Sequence, residues 1–317
     1  MPTVSVLMPS YNHAAFVSKA LESLREQTLT DWELIAIDDG SSDGSREILA
    51  EWADPRVKAL NNDSNLGAYG TLARALRLVS SNFVAVLNSD DEWAPTKLEK
   101  QIELLLREKT IQVCYTNGNA LGPEGELRSL QGNWPTAEVQ ELLPFLLEEN
   151  RVLASSVVFR TEATAFNPSL RYSGDWEALL RPARDAPVGF VNEPLVNWRQ
   201  HPNNSYVRSK GQIAEEIRMR RSILASRAFW NTRSLAPRAI HDGLSTNAMH
   251  LSALYVLIGE MSQARAAARV AVTQSPSLKT LRRWAAVNLP KSVALRQLWP
   301  GAETLFIDVH SDLISFR

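Results

Sequence analysis

Residues 4–12 read VSVLMPSYN and residues 34–45 read LIAIDDGSSDGS. Each couples a short apolar, β-branched run to an abrupt polar stop. The first run, Thr3 to Met8, ends at Pro9; the second, Trp32 to Ile37, ends at Asp38-Asp39-Gly40-Ser41. Between them Phe16, Val17, Ala20, Leu21 and Leu24 fall on one helical face. The alternation continues outward through helix Ser45–Trp52, strand Val57–Leu60, helix Thr71–Val79 and strand Phe83–Leu87. A further helix is predicted from about Pro95, since proline suits a first helical turn, with Leu98, Ile102 and Leu105 turned inward. Strand and helix alternating at this interval predict α/β architecture, βαβ units on a mostly parallel sheet.

From Gly118 to Trp134 the pattern weakens into a loop or hairpin around Gly122-Pro123-Glu124-Gly125. Strand Ser156–Arg160, a helix from about Trp176 and a strand pair near Val188–Trp198 are predicted next. From Ser209 onward the pattern is almost only helical, which predicts a boundary with domains over 1–208 and 209–317. Within the second, Tyr255, Gly259, Ala264, Ala267, Ala268, Ala271 and Pro276 place small residues where two helices approach closely, as in one tetratricopeptide unit. One such unit cannot bury its own face, so it is expected to pack on neighbouring helices.

The chain has 317 residues, 44% hydrophobic and 22% charged, which excludes collagen-like, low-complexity and wholly disordered classes. The single cysteine, Cys114, forms no internal disulfide or CxxC site and fits a reducing compartment. No apolar run approaches the ~20 residues of a membrane span. The N-terminal MPTVSVLMPSYN reads as a strand and not as a signal peptide, so a soluble, cytoplasmic protein is expected. The net charge of -1 hides an acidic body over 1–208 and a basic remainder. Arg218, Arg220, Arg221, Arg282, Arg283 and Trp284 in that remainder suggest peripheral contact with an anionic membrane surface. Nucleic-acid binding is not expected, because the basic residues belong to no nucleic-acid-binding motif.

Ligands of open α/β sheets bind at the carboxyl ends of strands. Three such ends here carry polar clusters: Pro9-Ser10-Tyr11-Asn12, Asp38 through Gly44, and Asn88-Ser89-Asp90-Asp91. Tyr11 suits stacking on a flat ring, and Asp38 or Asp39 suits accepting hydrogen bonds from a base or ribose. Adjacent carboxylates repel unless a cation or proton intervenes, and hard oxygen ligands suit Mg²⁺ or Mn²⁺. Plainer roles exist for each: Asp39-Gly40-Ser41 is a turn sequence, Asp43 can cap the next helix, and Asp91-Glu92 can favour a helix N-terminus. No P-loop, GxGxxG, GxSxG or HExxH pattern is present.

VSVLMPSYN, LIAIDDGSSDGS, NLGAYGTLARAL (65–76) and VLNSDDEWAPTKLEKQ (86–101), in that order, resemble a family-2 glycosyltransferase of the GT-A fold. The likeness is to enzymes of bacterial surface polysaccharide synthesis, including the spore-coat type, and covers roughly residues 3–205. It implies inverting transfer of a sugar from a nucleotide diphosphate donor to a carbohydrate or lipid-linked acceptor hydroxyl. It implies that Pro9 and Tyr11 flank the nucleobase, that Asp39 hydrogen-bonds it, and that Asn65, Leu66 and Gly67 lie near the donor. The acidic metal motif falls on Asn88-Ser89-Asp90-Asp91. Asn88 stands where the family most often has Asp, so Asn88 is expected on a ribose hydroxyl and the metal on Asp90, with Asp91 second.

The resemblance further implies a general base in Ser173-Gly174-Asp175-Trp176-Glu177, where the family's usual pattern is an acidic pair. Asp175 is the expected base, with Glu177 in reserve; the plainer role for Asp175 is helix capping. Arg199 or His201, in Trp198-Arg199-Gln200-His201, is expected to meet the leaving diphosphate. An alternative is a catalytically degenerate nucleotide-binding scaffold with a helical interaction tail, suggested by Asn88 and Gly174.

Overall fold

The structure, a computed structural model, describes residues 1–130, 135–201, 204, 209–231, 235–298, 305–307 and 314–316. The chain divides into two compact units, residues 1–142 with 151–201, and residues 143–150 with 202–317.

The first unit opens with β1 (Val4–Ser10), α1 (Val17–Arg25), β2 (Trp32–Asp38), α2 (Ser45–Glu51), β3 (Val57–Asn61), α3 (Ala68–Leu76) and β4 (Phe83–Val86). It continues through β5 (Glu92–Trp93), α4 (Lys97–Arg107), β6 (Val113–Leu121), β7 (Leu127–Ser129) and β8 (Val139–Gln140). After residue 150 come β9 (Val158–Arg160), α6 (Gly174–Asp185) and β10 (Val188–Arg199); α5 (Leu143–Glu148) belongs to the other unit. The sheet order is β3-β2-β1-β4-β9-β6-β10-β5, with β7 on β6 and β8 on β10. β3, β2, β1 and β4 run parallel, as do β6 and β10, whereas β9 is antiparallel to both β4 and β6. The parallel half therefore presents the ends of β1, β2 and β4 along one rim.

β1, β2 and β4 are buried almost throughout and largely apolar, as strands covered on both faces are, whereas the edge strand β3 is mostly exposed. Val4, Val6 and Met8 of β1 pack with Val17, Ala20, Leu21 and Leu24 of α1 and Leu98, Ile102 and Leu105 of α4 in one buried cluster. Each of these Val, Leu, Ile and Met side chains contributes about 1.5–3 kcal/mol on burial. Pro9 sits inside this central strand, where a missing N–H ordinarily costs a ladder bond. Its neighbour Ser10 accepts from Asp39 on the β2 side and Leu7 accepts from Leu87 on the β4 side. Pro9 thus faces β4 beyond Leu7↔Val86, the last pair, and no bond is lost. Cys114 lies in the same core, where burial pushes its thiol up to about 12 and leaves it unreactive at neutral pH.

Several elements of this unit differ from the sequence expectations, the short strands β5 and β8 among them. α3 begins at Ala68, not Thr71, because the chain turns at Gly67 (φ +79°). β6 was not expected: the sequence predicts no strand directly before Gly118, and the chain from Gly118 onward reads as loop or hairpin. In the sheet the side-chain amides of this strand pair sideways with β10, Asn117 donating to Asn192 at 2.6 Å and Asn119 to Asn197 at 3.1 Å. The expected strand pair near 188–198 is one strand, β10, whose register shifts on either side of Pro194 let its halves serve β8 and β5. The hairpin around Gly122–Gly125 forms between β6 and β7; its continuation over 131–134 lies outside the described residues.

The second unit is helical through α7 (Lys210–Ala225), α8 (Arg227–Trp230), α9 (Pro237–Ile258), α10 (Met261–Gln274), α11 (Leu278–Ala286) and α12 (Lys291–Leu298). It is not wholly helical as expected: β11 (Leu305–Ile307) pairs antiparallel with β12 (Ile314–Phe316), two Ile- and Phe-containing runs of strand-forming residues. α9 and α10 turn on Gly259 (φ +89°), and buried Ala264, Ala267, Ala268 and Ala271 bring them close. The approach lets Ser245 and Ser252 donate to the carbonyls of Ala271 (2.8 Å) and Ala264 (2.9 Å) across the pair. α5 joins this unit, with Asn247 donating to the Leu147 carbonyl at 2.7 Å.

Candidate active site

The ends of β1 and β2 lie in register, Ser10 beside Asp38. Ser10 Oγ and Asp38 Oδ2 are both buried there with no hydrogen-bond partner, although Asp38 Oδ1 accepts from the amides of Gly40 (3.2 Å) and Ser41 (3.0 Å). Neighbouring buried polar atoms left unsatisfied mark a place completed by water or a ligand.

Asp39 is 2% exposed and organises the next loop. Its Oδ1 accepts from Asn62 Nδ2 (2.6 Å) and the Leu66 amide (2.8 Å), and its Oδ2 from the Gly67 amide (2.8 Å). A carboxylate has about four acceptor positions, so one remains after these three. Asn65, in the same loop, accepts from Arg171 at 2.7 Å, and the Arg171 stem lies against Gly67.

The polar run after β2 also clamps the loop after β1. The amides of Asn12, His13 and Ala14 donate to Ser41 Oγ (2.9 Å), Ser45 Oγ (2.8 Å) and Asp43 Oδ2 (3.0 Å), while Asn12 Oδ1 accepts from the Ser42 amide (2.9 Å). Asn12 takes φ +54° in this turn. Tyr11, just before it, is 46% exposed and offers an open ring, whereas Pro9 is buried within β1.

Asp90 meets two histidines. His201 Nε2 lies 3.1 Å from Asp90 Oδ2 and His13 Nε2 lies 3.9 Å from the same oxygen. One ligand atom from each of the three residues lies within 4.8 Å of the others. Ligands about 2.1 Å from a shared ion stand about 3.0–4.2 Å apart, and both histidine-to-Asp90 separations, 3.1 and 3.9 Å, fall in that range, as a divalent cation would require of them. Burial pushes the Asp90 carboxyl up, but the His201 hydrogen bond and the two imidazoles outweigh it and hold it below the ordinary range. Burial likewise lowers His13 and favours its neutral, ligating form.

Asp91 faces elsewhere. Its Oδ2 accepts from Ser155 Oγ and, at 3.4 Å, from Asn88 Nδ2; its Oδ1 accepts from the Arg199 amide at 3.1 Å. Burial, then the charge of Asp90, raises its pKa well above the usual carboxylate range. Asn88 therefore supplies a donor where an Asp would add a third charge. The Arg199 guanidinium pairs with Glu92 and donates to the Asp90 carbonyl at 3.2 Å, bracing the loop.

Asp175 stands in the first turn of α6, half-buried, with Oδ1 accepting from Tyr69 Oη at 3.1 Å. A Cβ at Gly174 would come within 2.3 Å of the Tyr69 ring, so the position before Asp175 has room only for glycine. Burial raises the Glu177 carboxyl, partly offset by Arg181. On the sheet face bearing the stacked Tyr115 and Phe190 rings (centroids 4.7 Å apart), a cavity of about 370 Å³ opens beside Asn117, Leu153, Asn192 and Trp198.

Asp39, the 65–67 loop and Asp175 are thus linked through α3, and Asp90 and His201 meet directly. Asp91 and Arg199 are held outside that cluster. His13, which also meets Asp90, was not singled out in the sequence, because the histidines other than His201 show no metal-ligand spacing there.

Residues 5–168 match the model of Glycosyl transferase family 2. A β-1,3-glucosyltransferase of Escherichia coli, UDP-Glc:alpha-D-GlcNAc-diphosphoundecaprenol beta-1,3-glucosyltransferase WfgD, is 42% identical over 114 residues, 36% of this chain and 45% of that protein. The putative teichuronic acid biosynthesis glycosyltransferase TuaG of Bacillus subtilis is 35% identical over 126 residues, 39% of this chain and 50% of that one. The chain spans about half the length of these relatives. In fold it is similar to S. aureus TarS 1–349 in complex with UDP-GlcNAc, with a TM-score of 0.71 at 15% identity, over 99% of this chain and 97% of that one. With the family model covering more than half of its 317 residues, the chain belongs to glycosyl transferase family 2.

Proposed function

We propose that the protein transfers a sugar, with inversion, from a nucleotide diphosphate sugar to an acceptor hydroxyl in surface polysaccharide synthesis. The observation that carries this is the His13–Asp90–His201 cluster at the same strand rim as the Asp39-held loop, in a family-2 chain. Tyr11 stacks on the nucleobase against the strand end at Pro9. The remaining acceptor position of Asp39 and the unpartnered Asp38 Oδ2 take its donors, and Asn65, Gly67 and Asn88 border the donor. Asp90 and His201 hold Mg²⁺ or Mn²⁺, which supplies positive charge for the departing diphosphate; the Mn²⁺ of the fold-related Pyrobaculum calidifontis mannosyltransferase complex supports an ion of this class.

Asp175 takes the proton of the acceptor hydroxyl as the new C–O bond forms and the anomeric carbon–phosphate oxygen bond breaks. Asp91 and Arg199 position the ligand-bearing loop. The cavity beside Trp198 and Asn192 suits the acceptor, since aromatic faces and amides complement sugar C–H and hydroxyl groups. A lipid-linked acceptor is supported by the diphosphoundecaprenol substrate in the name of the E. coli relative. Asn88 and Gly174, the departures that favoured a degenerate scaffold, each serve an intact arrangement around Asp91 and Asp175.

No described helix is long and apolar enough to cross a membrane. Peripheral contact with anionic lipid is proposed through exposed Arg218, Arg221, Arg282 and Trp284; Arg220 is buried on Glu216 and the Glu148 carbonyl, and Arg283 is largely buried. Nucleotide release from a panel of nucleotide sugars, with and without divalent ions and a polyprenyl-diphosphate sugar acceptor, tests the activity. Turnover that depends on the metal and on Asp175 is expected; nucleotide binding without turnover of any donor would favour the scaffold.

A further inference from the structure

His13 comes from the loop after β1, and its ring is held from two directions. The main chain of residues 12–14 is pinned by Ser41, Ser45 and Asp43, so the loop cannot swing independently. The ring itself is set by Ser89, whose Oγ lies 2.8 Å from His13 Nδ1. A hydrogen bond donated from Nδ1 to that hydroxyl leaves the Nε2 lone pair available, the arrangement that outer-sphere partners impose on metal-binding histidines. Nε2 is the nitrogen turned toward Asp90. His201 approaches the same carboxylate oxygen, with its ring at 83° to that of His13 and the centroids 5.5 Å apart. Phe16 packs against His201 at 4.8 Å and gives this side of the cluster an apolar wall.

Among the described residues, Asp90 is the one carboxylate grouped with the two histidines. Asp91 is turned to Ser155, Asn88 and the Arg199 amide, from which it accepts three hydrogen bonds, and Glu92 is paired with Arg199. Asp90 is the carboxylate that faces the two imidazoles. Mg²⁺ is small and hard, prefers oxygen and parts with its waters reluctantly. Imidazole nitrogen instead favours first-row transition ions, with affinity rising from Mn²⁺ through Co²⁺.

We propose that His13 is a third protein ligand, so that the ion is held by two imidazole nitrogens and one carboxylate oxygen. This donor set makes the site select a transition ion such as Mn²⁺ or Co²⁺ over Mg²⁺. The proposal rests on the assignment of Asp90 and His201 as metal holders and adds the residue that decides which metal they hold. Ser89 is a positioning residue in this scheme: it touches no ion and acts through the His13 ring.

The test uses the full chain with Mn²⁺ alone and no nucleotide. Pulsed electron paramagnetic resonance counts the imidazole nitrogens on the bound ion: two are expected in the wild type and one in His13→Gln. Calorimetry should find Mn²⁺ bound at least about tenfold more tightly than Mg²⁺. His13→Gln should lose at least the about tenfold that removing an outer-sphere partner costs, with Mg²⁺ binding changed little. Ser89→Ala keeps all three ligands and should lose about tenfold in Mn²⁺ affinity. If His13→Gln fails to fold, the wild-type nitrogen count decides alone. One nitrogen in the wild type, or equal affinity for Mn²⁺ and Mg²⁺, overturns the proposal. Two nitrogens in a protein that turns over no donor would overturn the transferase activity and leave the ligand assignment standing. Donor turnover with a one-nitrogen site would do the reverse.

Discussion

Tyr69 on α3 donates its hydroxyl to Asp175 on α6 at 3.1 Å, joining residues 106 positions apart. The segment just before Tyr69 is the loop whose amides are held by Asp39. The carboxylate proposed as base is therefore positioned by the same element that borders the donor. Gly174 makes the contact possible, because any side chain there would meet the Tyr69 ring.

Replacing Asp175 with Asn removes the proton acceptor while keeping the size of the side chain, and Ser173, not this residue, stands at the N-cap of α6. kcat should fall by about 100- to 10,000-fold with little change in donor KM. Tyr69→Phe, which deletes one hydrogen bond to a charged group, should cost about tenfold in kcat. Steady-state nucleotide release measures both, and an Asp175→Asn protein with wild-type kcat would remove the base assignment.

Asp39→Ala leaves the amides of Leu66 and Gly67 without their acceptor inside the protein, while Asn62 keeps only its bond to Thr71. Unpaired buried donors cost about 1–3 kcal/mol each, and partial access of water should bring the total to about 3 kcal/mol. Urea unfolding should register that loss, together with a raised donor KM. Unchanged stability would mean that the 65–67 loop holds itself.

Lys97 is fully buried, with Nζ donating to Gln101 at 2.7 Å and lying 4.0 Å from the Trp93 ring centre. Burial pushes its pKa down from 10.5 to about 7. Between those values the unfolded chain binds a proton that the folded chain does not, so stability rises with pH through this window, by up to about 1.4 kcal/mol per unit. Lys97→Met lacks that dependence. Moving from pH 7 to pH 9 should shift the difference in unfolding free energy toward the wild type by about 2 kcal/mol. Paired urea titrations at the two pH values check it; a constant difference would mean that the folded lysine stays charged.

In the helical unit, a Cβ at Gly243 would lie 2.5 Å from the Pro144 carbonyl oxygen and 3.2 Å from Leu147. Backbone cannot yield as a flexible side chain can. Gly243→Ala should destabilise this unit by about 1–3 kcal/mol through overpacking, despite the better helix propensity of alanine. Thermal unfolding followed by circular dichroism measures the change, and a raised melting temperature would argue against the close α5–α9 contact.

The parallel half of the sheet was legible because its signals are local. Val4–Met8, Trp32–Ile37 and Phe83–Val86 are apolar, β-branched and cut off by polar stops, and the intervening stripes fall on one helical face. β6 was not legible, since the chain from Gly118 onward looks like loop, and Asn119 meets its partner amide only once β10 lies beside it. The strand-end motifs drew attention to Asp39 and Asp90, and the family resemblance to Asp175, but neither showed what each touches.

Sequence by itself determined which residues stand at the carboxyl ends of the strands, because hydrophobic period and turn residues act over a few positions along the chain. Only the tertiary structure decided that His13 and His201 converge on Asp90 while the adjacent Asp91 turns to Ser155 and the Arg199 amide. Successive side chains in a turn point in different directions, and their partners lie 64 to 111 positions away in the chain. Such partners are chosen by how the strands are ordered in the sheet, which no local pattern encodes.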